Sequence, residues 1–218
     1  MDSKALWEAL GQKGDNAGEI ADAVIETPEL LPVLMEGMSS PRANPKFKSA
    51  KILRMVSEKN PRMLYPHFDY FAGFLDSGNS ILMWNAMDIL GNLATVDSQG
   101  KFDLLFDKFY KFLDKGSLIT AGHVVASSGK IARAKPYFEK RITEELLRVK
   151  EIPLPTEECR RILGGGTIEV FGEYFKQSAY RKKIVSFVES YLDCSRNSTR
   201  KKAEAFLKKY DTTSAKAG

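Results

Sequence analysis

The stretch from Pro61 to Ala94, PRMLYPHFDYFAGFLDSGNSILMWNAMDILGNLA, predicts a helical hairpin. Its first half spaces the apolar residues three and four apart, as on one face of a helix: Leu64, Phe68, Phe71 and Leu75. Its second half does the same with Leu82, Ala86, Ile89, Leu90 and Leu93. Between the halves, Asp76-Ser77-Gly78-Asn79 has the composition of a turn. One antiparallel pair cannot bury both apolar faces, so it needs a neighbour of the same kind.

Segments related to residues 90–93 recur along the chain, at 53–56, 128–131, 171–174 and 207–210. The separations between them are 37, 38, 43 and 36 residues. A period of roughly 40 residues with two helices per repeat is the sequence signature of a helical solenoid. We therefore predict an all-α fold, an α-α superhelix of about four to five hairpins. Residues 1–211 would form a single domain, and residues 212–218 a flexible tail.

The hairpin at 61–94 resembles a HEAT repeat of the HEAT/armadillo class. It has a proline in the first helix, an acidic residue at the turn and the closing sequence Leu90-Gly91-Asn92-Leu93-Ala94. This resemblance implies that the second helix of each hairpin lines a concave surface that meets a partner. It extends, with weaker motifs, over nearly the whole chain.

A register of about 100° per residue places Trp84 and Asp88 roughly opposite the apolar side of their helix. The resemblance puts both residues on the concave surface, where we predict a binding surface. Its members, at or beside equivalent positions of the repeats, are Trp84, Asp88, Phe47, Lys51, Arg54, His123, Glu169 and Lys201. Two alternatives stay open here: Trp84 could pack against the adjacent repeat, and Asp88 and Glu169 could be ordinary solvated carboxylates.

The charge of the chain is unevenly distributed. The formal net charge is +5, but residues 176–218 alone hold 11 basic and 4 acidic residues. A second basic group lies on the first inner helix and consists of Arg42, Lys46, Lys48, Lys51 and Arg54. Two positive regions of this kind suit a polyanion such as a nucleic-acid backbone. Lysines near a terminus can equally serve solubility.

A second resemblance concerns Trp84-Asn85-Ala86-Met87-Asp88. It is similar to the Trp-x-x-x-Asp arrangement of the HEAT-like alkylpurine DNA glycosylases, which bind duplex DNA in a basic groove. The resemblance implies catalytic roles for Trp84 and Asp88. An indole face can stack on a cationic base, and a carboxylate can stabilise the positive charge that develops as the glycosidic bond breaks.

The remaining patterns bear on cofactors and location. His67 and His123 have no metal-ligand spacing around them, so we expect no metal and no cofactor. The run Gly164-Gly165-Gly166 lacks the residues of a phosphate loop and indicates close helix packing or a local weakness. The chain has no long apolar run, so we expect no membrane span and a cytoplasmic location.

We predict from these patterns a binding scaffold for a protein partner, without chemistry of its own. The alternative is a nucleic-acid-binding protein of the glycosylase type, acting on alkylated bases. An exposed end repeat could be covered by a second copy of the chain, so the oligomeric state stays open.

Overall fold

The computed structural model describes residues 1–12, 14 and 16–210, so the predicted tail at 212–218 lies outside the described residues. Contacts divide the chain into two compact units, which we call unit 1 (Met1–Leu105) and unit 2 (Phe106–Gly218). Every regular element in the described residues is a helix. None of these helices combines the length and the apolar composition needed to cross a bilayer.

Unit 1 is built on a long central helix. Its α-helices are α1 (Ser3–Gly11), α2 (Ala17–Glu26), α3 (Leu31–Met38), α4 (Ala43–Lys59), α5 (Pro61–Leu64), α6 (Phe68–Gly73) and α7 (Ser80–Leu93). Helix α4 packs against α1, α2 and α3, which precede it in the chain, and against α7, which follows it. The side of α4 that the apolar pattern predicts to face inward is fully buried: Ser49, Ile52, Leu53 and Val56.

The hairpin predicted at 61–94 is confirmed, with one difference in its first half. The predicted apolar side chains of both halves are buried, from Leu64 to Leu93. The first half is not one continuous helix, however, because a 3₁₀ turn at Tyr65–His67 separates α5 from α6. Pro66 lies in this turn, and a proline has no N–H to donate and a ring that obstructs a continuous α-helix.

Unit 2 repeats the hairpin plan. After α8 (Lys101–Tyr110), which begins before the unit boundary, its α-helices are α9 (Leu118–Ala134), α10 (Glu139–Leu147), α11 (Glu157–Tyr174), α12 (Arg181–Glu189) and α13 (Asn197–Lys209). Helix α11 packs between α9 and α13. Stacked aromatic rings fill the space near α8, since the ring centroids of Phe106 and Phe138 are 4.5 Å apart.

We call the helix that comes second in each hairpin a second helix; these are α4, α7, α9, α11 and α13. Three of them begin at a side-chain cap, in which a polar side chain accepts a hydrogen bond from a backbone N–H of the first turn. The capping residues are Asn79, Ser117 and Thr156. Such caps fix where each second helix starts.

The longer spacing of 43 residues between Gly129 and Gly172 has two sources. One is the connection that precedes α11, in which residues 151–156 form no helix and contain Pro153 and Pro155. The other was not predicted: Gly172 is the sixteenth residue of α11, whereas Gly129 is the twelfth of α9. Helix α11 therefore carries an additional turn at its start.

Hydrogen bonds between consecutive hairpins join residues about one repeat apart. In unit 1, Asn92 Nδ2 donates to Ser57 Oγ at 2.8 Å, and Tyr70 Oη donates to the carbonyl oxygen of Met35 at 2.7 Å. In unit 2, Tyr210 Oη donates to the carbonyl oxygen of Gly172 at 2.8 Å. Each unit is thus a stack of helical hairpins held in register by polar contacts as well as by apolar burial.

Candidate binding surface

Helix α7 carries the two residues on which the sequence analysis concentrated. Trp84 and Asp88 are one turn apart, and both are half-buried. Ile81 lies one turn before Trp84 and is 44% exposed. The Asn79 side chain accepts from the N–H groups of Ile81 and Leu82 at 3.0 and 3.2 Å. This cap holds the first turn, so Ile81, Trp84 and Asp88 share one helix face.

The predicted surface residues of α4 are engaged within unit 1 to different degrees. Phe47 is half-buried and Lys51 is exposed, and both line a cavity of about 360 Å³ beside the connection between α1 and α2. Arg54 Nη1 is paired with Glu58 Oε1 at 2.5 Å. The predicted residues of α4 therefore include an aromatic side chain at a cavity and an arginine that is already neutralised.

Other basic residues of α4 also have contacts inside unit 1. Lys48 Nζ donates to the carbonyl oxygens of Ala9 and Gln12 at 2.9 and 3.3 Å, at the end of α1. The Arg42 guanidinium lies over the Trp7 ring, 5.5 Å from its centroid. Lys48 thus stabilises a helix C-terminus and Arg42 an aromatic ring. Fewer side chains of the predicted basic group are therefore available to contact a polyanion.

In unit 2, the predicted residues lie on three second helices. His123 on α9 is half-buried, whereas Glu169 on α11 and Lys201 on α13 are exposed. Glu169 Oε2 is paired with Lys202 Nζ at 2.8 Å. A shallow groove of about 490 Å³ runs between α11 and α13, with Glu169 and Glu173 on one wall and Lys202 on the other. The groove therefore presents both signs of charge.

The second helices of unit 2 are aligned by close contacts at glycines. A Cβ added to Gly129 of α9 would lie 2.6 Å from the Glu173 carboxyl carbon of α11. Glu173 Oε2 is also paired with Arg133 Nη1 at 2.5 Å. A Cβ on Gly165 would lie 2.8 Å from Thr199 Oγ1 of α13. These contacts place α9, α11 and α13 in the register that the repeat predicts.

Three exposed isoleucines form a pattern that the sequence analysis missed. Ile81 is 44% exposed, Ile119 is 54% exposed and Ile162 is 38% exposed. They lie ten residues before Gly91, Gly129 and Gly172, so they occupy one repeat position on α7, α9 and α11. The equal offset was available in the sequence, but only the structure shows that these side chains remain uncovered.

Three buried tyrosines of unit 2 have raised pKa values. Burial raises the pKa of the Tyr110 and Tyr174 hydroxyls, and it raises the pKa of Tyr191 to about 12. Burial also lowers the pKa of Lys150, whose ammonium lies 4.9 Å from the centroid of the Tyr191 ring. No group of three or more potential metal ligands occurs in the residues that the structure describes.

Comparison with solved structures identifies the architecture. A designed armadillo repeat protein is 16% identical, with a TM-score of 0.59 over 95% of this chain and 94% of that one. An engineered protein of the Northeast Structural Genomics Consortium is also 16% identical, with a TM-score of 0.58 over 97% of this chain and 92% of that one. The chain has a HEAT/armadillo-type helical repeat fold. The predicted all-α solenoid is confirmed.

The comparisons support the repeat architecture and leave the partner to be argued from the surface. No protein-family model and no curated protein matches the sequence. In a helical repeat, each second helix repeats one set of outward positions. We call the residues at or beside these positions the second-helix face of each unit: in unit 1 these are Phe47, Lys51, Arg54, Ile81, Trp84 and Asp88, and in unit 2 they are Ile119, His123, Ile162, Glu169 and Lys201.

Proposed function

We propose that this helical repeat protein is a non-enzymatic scaffold that binds a protein partner through the second-helix faces of its units. The observation that carries the proposal is the recurrence of a partly exposed isoleucine, 38–54% exposed, at one repeat position of α7, α9 and α11. Exposed apolar side chains gain free energy when a partner removes them from water, and clustered ones mark interaction sites. On α7 the isoleucine adjoins Trp84, a residue type enriched among the dominant contacts of protein interfaces.

The mechanism we propose is recognition by a rigid surface. Within each unit, the glycine contacts or the hydrogen bonds between repeats hold the second helices in fixed register. A partner then binds without first ordering the scaffold, which lowers the entropic cost of association. The two cysteines, Cys159 and Cys194, are unbridged. Free thiols fit a reducing compartment, and we propose the cytoplasm.

The test compares two double variants of the tagged chain as bait. The variant Ile81→Ser with Trp84→Ala alters the face of α7, and Leu104→Ser with Tyr137→Ser is the matched control, since Leu104 and Tyr137 are 92% and 63% exposed outside the face. We expect a partner that is captured by the wild type and by the control, but not by the α7 variant. Its recovery should resist nuclease, and the purified partner should reproduce the result. Equal capture by both variants would refute the proposal.

A second candidate function, nucleic-acid binding of the alkylpurine glycosylase type, is favoured by the charge of unit 2. Residues 106–218 hold 23 basic and 14 acidic residues, a net charge of +9, whereas residues 1–105 hold 10 and 14, a net charge of −4. Exposed lysines of unit 2 that make no ion pair among the described residues include Lys176, Lys182, Lys201 and Lys208.

This candidate has a direct assay. It requires duplex DNA binding that weakens steeply between low and high salt, because each phosphate contact releases counterions. It also requires release of an alkylated base that is lost in Asp88→Asn. Trp84 and Asp88 lie in unit 1, whose residues carry a net charge of −4. A gel shift without salt-sensitive binding would remove this candidate.

A further inference from the structure

Unit 2 carries a surface with apolar and basic residues on three consecutive second helices. Ile119 lies on α9, Ile162 lies at the equivalent position of α11, and Lys201 lies on α13, the next second helix. We propose that this surface docks an acidic amphipathic helix of a partner protein. The inference rests on the proposed scaffold function and names the class of partner segment that unit 2 receives.

The spacing of the two isoleucines favours a helix over an extended strand. Helices α9 and α11 pack side by side, and the contact of Gly129 with Glu173 sets their register. Axes of packed helices lie about 8–10 Å apart, so equivalent residues on them are separated by about that distance. A helix presents residues i and i+7 on one face about 10.5 Å apart. A strand presents same-face residues at about 7 and 13 Å, which fits this spacing less well.

Each isoleucine lies next to a glycine on the same helix, and the missing side chain leaves room for a partner's backbone to approach. Gly122 follows Ile119 by three residues, and Gly166 follows Ile162 by four, so each glycine lies one turn further along the same helix face. A Cβ added at either position would have no atom within 4 Å. The isoleucines therefore stand beside open space, in which a helix laid across α9 and α11 can place its own apolar side chains.

The unpaired charge on this surface is positive. The exposed carboxylates of α11 are paired within unit 2: Glu157 with Arg160, Glu158 with Arg196, Glu169 with Lys202 and Glu173 with Arg133. Lys201 and Lys208 are exposed, lie seven residues apart on α13 and make no ion pair in the described part of unit 2. With a net charge of +9 for residues 106–218, the complementary partner segment is acidic.

The test uses two synthetic peptides of three heptads, with leucine at the same positions and with either glutamate or lysine at the polar positions. Fluorescence anisotropy measures their binding to the full chain. We expect the acidic peptide to bind and the basic peptide to bind at least about tenfold more weakly. The double variant Ile119→Ser with Ile162→Ser leaves the charge of the protein unchanged and should lower its affinity for the acidic peptide by about tenfold or more. Lys201→Gln with Lys208→Gln should reduce the salt dependence of acidic-peptide binding. The control Leu104→Ser should leave both the affinity and its salt dependence unchanged.

Several results would overturn the inference. The first is no binding of the acidic peptide, or equal binding by the isoleucine variant. The second is that heparin displaces the peptide and binds the isoleucine variant as tightly as the wild type. This would identify a polyanion site. The third is a dimer in sedimentation velocity that the isoleucine variant disperses, because the occupant would then be a second copy. If the acidic peptide does not bind but Trp84-dependent capture of a partner succeeds, the scaffold function stands and this inference is wrong. If both experiments fail, both proposals are wrong.

Discussion

Two substitutions within the triple-glycine run of α11 should change stability in opposite directions. In Gly164→Ala, the new Cβ would lie 2.6 Å from Cε1 of Tyr191 and would also overlap its Oη. In Gly166→Ala, the new Cβ would meet nothing within 4 Å. Both residues are inside one helix, so both substitutions gain the same backbone propensity. The difference between them is therefore the close contact alone.

The size of each effect follows from these contacts. Replacing a helical glycine by alanine gains about 0.5–1 kcal/mol, and Gly166→Ala should realise that gain. Gly164→Ala must displace Tyr191, a side chain only 6% exposed, and overpacking of this kind costs about 1–3 kcal/mol. We expect a net loss of about 1–2 kcal/mol for Gly164→Ala.

Urea unfolding measures both variants on the full chain. Far-UV circular dichroism follows all helices, whereas tryptophan fluorescence follows unit 1, because Trp7 and Trp84 are the two tryptophans of the chain. With a slope of about 2 kcal/mol per molar urea, the dichroism midpoint should fall by about 0.5–1 M for Gly164→Ala and rise by about 0.3–0.5 M for Gly166→Ala.

The control addresses the cause of the loss. Tyr191→Leu removes the hydroxyl and the far side of the ring, so Gly164→Ala should cost less in that background than in the wild type. The reasoning is refuted if Gly164→Ala is as stable as Gly166→Ala, or if its cost is unchanged when Tyr191 is absent.

Two further predictions concern tyrosine ionisation and a polar contact between repeats. Because the pKa of Tyr191 is raised to about 12, and those of Tyr110 and Tyr174 are also raised, the folded state favours neutral tyrosine. This stabilisation is complete below about pH 10 and is lost as the pH rises towards 12, at up to about 1.4 kcal/mol per pH unit for each tyrosine. The urea midpoint should fall in that range and fall less steeply in Tyr191→Phe; a constant midpoint up to about pH 11 would contradict the account. Asn92→Ala should cost about 1–2 kcal/mol, since it removes the buried hydrogen bond to Ser57 Oγ. The fluorescence midpoint measures this loss, the more exposed Asn85→Ala is its control, and equal effects of the two would mean that burial of the contact is unimportant.

Much of the fold is predictable because helix periodicity is a local property. The apolar spacing around Leu64 and Leu90 identified which sides of two helices are buried, and the solenoid followed from the recurrence of that pattern. The break at Pro66 and the additional turn of α11 were not predicted. The spacing between repeats cannot separate a longer connection from a longer helix, since both add residues to the same interval.

The candidate surface was predictable in part. The register correctly placed Trp84 outside the fully buried side of α7, where it is half-buried. Its role as a partner anchor stays a prediction, and so do the roles of Asp88 and His123. Ile81, Ile119 and Ile162 were not predicted as surface residues, because an isoleucine in an amphipathic helix is ordinarily assigned to the core.

By itself, the sequence determined the repeat period, the helical hairpin and the side of each helix that is buried. These properties depend on residues three to four positions apart, which every helix brings together in the same way. Only the tertiary structure decided which isoleucines stay exposed, which of Gly164 and Gly166 is crowded, and which charges are paired. Those outcomes depend largely on residues far apart in the sequence, such as Gly164 and Tyr191 or Glu169 and Lys202, and packing alone brings such residues into contact.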